Sequence, residues 1–451
     1  MKSPELSPLS LTFIAAALLA LGIAVQAHNG SFSLSAVSAL ACAWLLVIAA
    51  SAALPWPAVI KSHRLEQAPR FALLVTLAAM GGMMLSSPVL VALRGQPQLA
   101  VKVALLTGSL LGGSVILARE RESRWAFYAL LLWHFLLGLW LLGLSRDPHI
   151  DVFVFQEDAA RALLAGHNPY AITFANIYHS DIVYGPGLTD GERLFFGYPY
   201  PPLSLLLVVP ATVLGDPRYA QLTAYTLSAL IIAHARNTRT SFAAAAVFLL
   251  LSRGFFVLEQ SWTEPLALLF LAASLWTAVR APRWLAVPLG FLFASKQYLV
   301  VILPLVLLLA ERSPGKTLVL LCKAGLVTAL ITLPLALWDW PAFFHSVVGL
   351  QVAQPYRPDA LSFLNCFAAL RTPLLAFALL VPALALALWR SPASPAGFAL
   401  STALVLITFF AWNKQAFCNY YFFALGALCM ALAIGDSSGA RTQATALRDG
   451  A

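Results

Sequence analysis

Asp151, Lys296 and Lys414 are the charged residues whose settings in this chain invite chemistry. Asp151 opens a polar stretch shortly after an apolar run that ends at Leu144. A carboxylate there stands at a membrane surface, within reach of a lipid-linked substrate. As a general base on a hydroxyl it would contribute about 10²–10⁴-fold to a rate. The plainer reading is that Asp151 caps the helix that follows, since Asp is favoured beside the first N–H groups. Asp158, seven residues on, shares that helix face and reads as an orienting or solvated residue. Lys296 interrupts the apolar run Trp284–Ala310. An ionisable group inside a span costs about 2.5–3.5 kcal/mol on insertion scales, so it faces protein or a water-filled cavity. Its ammonium suits a phosphate; the alternatives are an ion pair with Glu259 or Glu264, or snorkelling of its stem. Lys414, in Trp412-Asn-Lys-Gln415, lies at a helix end, where snorkelling competes with phosphate contact.

Weaker candidates accompany these. His345 and Arg357 are placed to meet phosphate or sugar hydroxyls, with an exposed loop as the plain alternative, preferred for Arg357. Tyr198 and Tyr200 could stack on a sugar ring, but with Pro201-Pro202 they also set a turn into the next helix. Glu259-Gln-Ser-Trp-Thr-Glu264 either lines a cavity or is simply a polar loop. The polar stretch carries no DxD-like pair, and no metal ligand set is read from the sequence. Cys42, Cys322, Cys366, Cys418 and Cys429 show no CxxC pair and no zinc spacing with His.

The elements that must position these groups are helices in a bilayer. The chain is 60% hydrophobic and 10% charged, against about 25% charged in soluble domains. Its formal charge of +9 comes largely from short basic loops, the pattern left by cytoplasmic retention of Lys and Arg. This leaves no nucleic-acid patch. Runs at 10–27, 35–60, 71–93, 99–118 and 125–144 can each reach the ~20 residues of a crossing helix. Lys2 and the run Leu11–Val25, ending Val25-Gln-Ala27, resemble a weak signal peptide, but an uncleaved first helix is preferred. Lys61, Arg64 and Arg70 mark one loop as inner, and Arg119, Arg121 and Arg124 another. The turns near Asn29 and Gly95 are poor in Lys and Arg, which makes them outer. The loop 146–199 then falls outside. It has seven acidic and three basic residues, an amphipathic surface helix over 151–164 and an aromatic texture suited to the headgroup zone.

Pro202–Leu214 spans only about 20 Å as a helix, too little to cross comfortably, and reads as re-entrant or interfacial. Spans follow at 219–233, 241–258 and 263–279. Trp284–Ala310 would be ~40 Å long as one helix, so a pair broken at Ser295-Lys296-Gln297 is preferred. After 317–338 comes a second outer loop, 339–365, then spans 366–389 and 396–412. A third outer segment, 413–419, precedes the last span, 420–434. The expectation is an all-α polytopic bundle of about 13–14 membrane segments. It divides into a four-span N-terminal part (1–124), a membrane domain (125–435) and a disordered inner tail (436–451).

The order Asp151-Val-Phe-Val-Phe155, Gly166-His-Asn-Pro-Tyr170, Tyr198-Pro-Tyr-Pro-Pro202 and later Ser295-Lys-Gln297 resembles the polyprenyl-phosphate-mannose-dependent α-mannosyltransferases of the GT-C superfamily. The likeness covers roughly 146–421 and rests on short motifs in order. The four spans before Trp125 depart from the pattern, since the family's Asp usually follows the first span. The resemblance implies a hexosyltransferase of the cell envelope, acting at the extracytoplasmic face. Mannose is the favoured sugar, a polyprenyl phosphate the donor carrier and a lipid or glycan the acceptor. It assigns Asp151 as base and needs no other cofactor. A single base suffices where the donor brings its own leaving group, unlike hydrolysis by paired carboxylates. The rival class is a transporter or lipid flippase, which would show repeated halves and broken helices meeting at midplane; no repeat is evident. A non-catalytic scaffold would leave Lys296 unexplained.

Overall fold

Runs of Leu, Ala, Val and Phe without polar relief fold as helices, because a helix satisfies its own backbone where water cannot. The computed structural model describes residues 6–53, 63–95, 98–180 and 183–435, and almost all of their regular secondary structure is helix. In chain order come α1 (Pro8–Gln26), α2 (Leu34–Ala52), α3 (His63–Ser86), α4 (Leu99–Leu117), α5 (Glu120–Leu144) and α6 (Asp151–Leu164). Then follow α7 (Pro202–Val213), α8 (Arg218–Arg236), α9 (Arg239–Leu249), α10 (Gly254–Glu259), α11 (Glu264–Arg280) and α12 (Ala286–Phe293). A 3₁₀ helix, Gln297–Leu305, leads into α13 (Val306–Leu309) and α14 (Pro314–Ala336). The chain closes with α15 (Trp340–Phe344), α16 (Leu350–Ala353), α17 (Pro373–Arg390), α18 (Pro395–Ala411) and α19 (Cys418–Gly435). Two short strands, β1 (Phe174–Ala175) and β2 (Arg193–Leu194), pair antiparallel with Phe174 opposite Leu194. Ser-Pro pairs start α1, α14 and α18: the serine accepts an N–H of the first turn, and proline occupies a position whose own N–H would be idle.

Among the described residues seven helices are long and apolar enough to cross a bilayer, and five further apolar helices have 10–17 residues. The protein is thus an all-α, membrane-embedded bundle. Its centre is α19, which is apolar on every side and almost wholly buried. It packs against α1, α8, α9, α11 and α18. α14 stands at the rim, with Leu318, Leu326 and Leu330 exposed as on a lipid-facing helix. One hydrophobic core runs from Leu6 to Ile434 and includes residues of α1 to α5, so the N-terminal helices share the interior of the rest.

Three predicted features differ in detail. The span at 241–258 is interrupted after α9, where buried Arg253 turns aside to donate to the Pro88 and Gln26 carbonyls (3.0 and 3.3 Å). The break at Ser295-Lys296 is present, but its second arm is largely 3₁₀, with Pro304 inside it. The aromatic residues of the 146–199 loop form a second small core rather than an outward belt. Tyr170, Phe174, Tyr184, Phe196 and Tyr198 are buried with Phe155 of α6. Beneath α6, fully buried Arg218 pairs with Asp216 (2.6 Å) and lies over the Phe153 ring at 5.0 Å, fastening the surface helix to α8. The predicted tail 436–451, the end of the second predicted span with Lys61, and Asp181 lie outside the described residues. The five cysteines are free.

The loop core closes tightly at Gly197, where a Cβ would stand 2.2 Å from the Tyr170 carbonyl oxygen. Gly197→Ala therefore forces the 169–171 and 197–198 segments apart, at a cost of about 1–3 kcal/mol. Thermal unfolding of the purified protein should show the loss as a lowered midpoint.

Candidate active site

The α6 helix begins at Asp151 itself, with Ile150 in the capping position, so the carboxylate is not the cap. Its Oδ1 accepts the Val152 N–H (2.8 Å), and its Oδ2 accepts the Tyr184 hydroxyl (2.7 Å). The Asp151 N–H in turn donates to the Tyr178 hydroxyl (3.3 Å). Tyr178 and Tyr184 stack at 6.4 Å. Desolvation by these rings pushes the Asp151 carboxyl above its ordinary value, against the pull of the Tyr184 hydrogen bond, the Val152 N–H and the Arg357 charge. A carboxylate in that position is a stronger base than a solvated one.

Facing it is the helix break. The Lys296 ammonium meets Glu264 Oε1 at 3.0 Å and donates to Thr263 Oγ1 at 2.7 Å. The Asn419 amide also donates to Glu264 Oε1 (2.9 Å). The ammonium lies 4.2 Å over the Tyr200 ring, a cation–π contact made by a buried lysine. Gln297 donates to the Pro199 carbonyl (3.0 Å), which locks the break to the turn before α7.

Between Asp151 and Lys296 opens a cavity of about 1020 Å³. It is lined from many parts of the chain: the α1–α2 connection at His28 and Asn29, Arg94, Tyr178 and Tyr184, Phe196 and Tyr200, Trp262, and residues of the 350–359 and 413–420 segments. One side is apolar, with Val300, Val352 and Phe377 both lining it and exposed on the bundle surface. Lys414 donates to the Val352 and Gln354 carbonyls (3.0 and 2.6 Å). Arg357 grips Asp359 with two bonds (2.8 and 2.7 Å). Among the described residues no group of three or more His, Cys, Asp or Glu side chains could hold a metal.

The structure therefore brings Asp151, Tyr200, Lys296, Lys414 and also Arg357, for which the sequence alone favours an exposed loop, to one cavity. It keeps the other predicted binding residues out of its lining. Asp158 is exposed on α6, two turns beyond Asp151, and takes no part in the cavity lining. Tyr198 is fully buried and hydrogen-bonds Ser204 (2.9 Å), which shapes the turn into α7. His345 is exposed and its Nε2 lies 3.0 Å from the Phe195 carbonyl, joining two loops. Sequence reasoning passed over Tyr184 and Arg94. Nothing in the spacing of Tyr184 sets it apart from the eight other Phe and Tyr residues of the 146–199 loop. Arg94 is a lone cation in a turn otherwise poor in Lys and Arg, and that oddity was the available signal. Comparison with protein-family models, with curated proteins and with solved structures returns no match.

The Lys296–Glu264 pair is buried on both sides, so removing one partner strands the other charge. Lys296→Met should lose about 3–5 kcal/mol of stability. The double variant Lys296→Met/Glu264→Gln should recover much of that loss, a coupling that thermal unfolding of the four proteins in a double-mutant cycle measures.

Proposed function

We propose that the protein is an integral-membrane glycosyltransferase that moves a hexose, mannose by preference, from a polyprenyl-phosphate donor to a hydroxyl of a lipid or glycan acceptor. The observation that carries the reading is the placement of Asp151. It is a basic carboxylate in an aromatic cage, at one end of a cavity whose other lining charges are mostly cations. In the reaction the acceptor oxygen attacks the anomeric carbon, and the bond from that carbon to the phosphate oxygen breaks. Polyprenyl phosphate leaves with the electron pair, while Asp151 takes the hydroxyl proton and later yields it to water. Lys296 has spent two of its three N–H donors on Glu264 and Thr263, and Lys414 two on backbone carbonyls. Each keeps one for an anionic ligand, and both lower the energy of charge arriving on the leaving phosphate. The exposed apolar flank at Val300, Val352 and Phe377 suits a lipid tail entering from the bilayer. The cavity volume lies at the upper end of the range for sites that enclose small molecules. Sidedness follows from the loop charges: the site faces the extracytoplasmic compartment.

A carrier is the second reading, favoured by the unwound segment at Ser295-Lys296, since carriers place their ligands at such breaks. Purified protein with labelled polyprenyl-phosphate sugars and a panel of acceptors separates the two. Asp151→Asn should cut transfer about 10²–10⁴-fold while the protein stays folded. Solute uptake into liposomes that survives this substitution, with no transfer by wild type, would sink the enzyme.

The base must be ionised to work, so activity should fall as pH drops through the raised Asp151 value, above the ordinary carboxylate range near 3.9. Tyr184→Phe removes a hydrogen bond to the charged form. The acidic limb of the kcat/KM profile should then move up by roughly one pH unit, the equivalent of one charge-assisted bond.

A further inference from the structure

We infer that Arg94 binds the phosphate of a lipid-linked substrate, so that the four N-terminal helices complete the site. The inference rests on the transferase reading for the identity of the ligand, and on geometry for the rest.

Four cations line the cavity: Arg94, Lys296, Arg357 and Lys414. Lys296 faces Glu264, and Arg357 is held two-pronged by Asp359. Lys414 is turned to two carbonyls. Arg94 has no hydrogen-bond or ion-pair partner among the described residues, and its fork of five N–H donors matches a phosphate. The turn that carries it is held from below. The Glu259 carboxylate, fully buried, accepts the N–H groups of Val91 (2.6 Å) and Ala92 (2.9 Å) and the Ser145 hydroxyl (3.0 Å). Arg253 holds the same loop by the Pro88 carbonyl (3.0 Å) and the Ser87 hydroxyl (3.3 Å). Val89, Leu90 and Leu93 are buried beneath it. Two charged side chains of the central bundle are thus committed to fixing a turn whose one exposed cation lines the cavity. Ser145 links the same carboxylate to the segment that leads into Asp151, so the anion subsite and the base are held from one point.

The test is direct binding, independent of turnover. Wild type, Arg94→Gln, Arg94→Lys and Arg193→Gln are purified in detergent and titrated with a sugar-free polyprenyl phosphate and, separately, with inorganic phosphate. Arg193 is an exposed cation of the 146–199 loop outside the cavity lining, and it controls for general charge. Arg94→Gln should weaken polyprenyl-phosphate binding roughly 10- to 100-fold. Arg94→Lys should recover part of the loss, and Arg193→Gln should match wild type. Equal affinity in wild type and Arg94→Gln overturns the inference, as does failure of wild type to bind. An Arg94 effect seen with inorganic phosphate but not with the polyprenyl phosphate overturns the lipid-linked assignment. If binding depends on Arg94 but no donor supports transfer, the transferase reading falls and the anion subsite stands. If transfer proceeds with an unchanged KM in Arg94→Gln, the reverse holds.

Discussion

A short turn with a buried carboxylate at each end, Glu259 and Glu264, is the constraint from which the site is built. Neither side chain reaches solvent, and burying an ionised carboxylate is costly unless charge or dipoles surround it. Glu259 solves this with two backbone N–H groups of the 87–95 loop and the Ser145 hydroxyl, Glu264 with Lys296 and Asn419. The turn between them is itself pinned. Ser261 takes a left-handed conformation (φ 54°), and its carbonyl receives the side-chain amides of Gln156 on α6 and Gln221 on α8. Six residues thereby orient loops from the start, middle and end of the chain toward one another.

That arrangement explains why polar chemistry is confined to one end of an otherwise apolar bundle. In a low-dielectric interior each polar group needs a fixed partner, and fixed partners make a preorganised site. Asp151 departs from the rule in a useful direction. Tyr178, Tyr184 and Tyr200 desolvate it without a cation in direct contact, so its proton affinity rises. Lys296, by contrast, has a carboxylate beside it, Glu264 Oε1 at 3.0 Å. The base and the cations differ because their neighbours differ, as acid and base roles in one site generally require.

The N-terminal helices belong to this design. α1 packs on the central α19, and its exit at His28 and Asn29, both left-handed, lines the cavity beside Arg94. Ser31 and Phe32 then reach the 359–360 segment through backbone contacts. From the sequence these four helices read as an extension, because the family that the chain resembles usually has its Asp after the first span. Their contribution is a backbone path and one arginine, neither of which stands out in composition. The long-range match of Glu259 to two N–H groups more than 160 residues away leaves no trace in local pattern.

Several features were nevertheless determined by the chain alone. Apolar runs of bilayer length dictate helices, since backbone groups in lipid have no other partner. A lysine amid such a run, flanked by Ser295 and Gln297, dictates the break. Twelve or so apolar residues between Pro202 and Gly215 dictate a helix too short to cross. The position of Asp151 at the head of a surface helix was also legible, because it follows a complete span. Tertiary structure alone decided which charges meet. Glu264 rather than Glu259 takes Lys296, Asp158 and His345 stay outside, and Arg94 comes in. The reason is that partners for a buried charge are selected by distance across the packed bundle, and helix packing sets those distances with no counterpart in residue spacing.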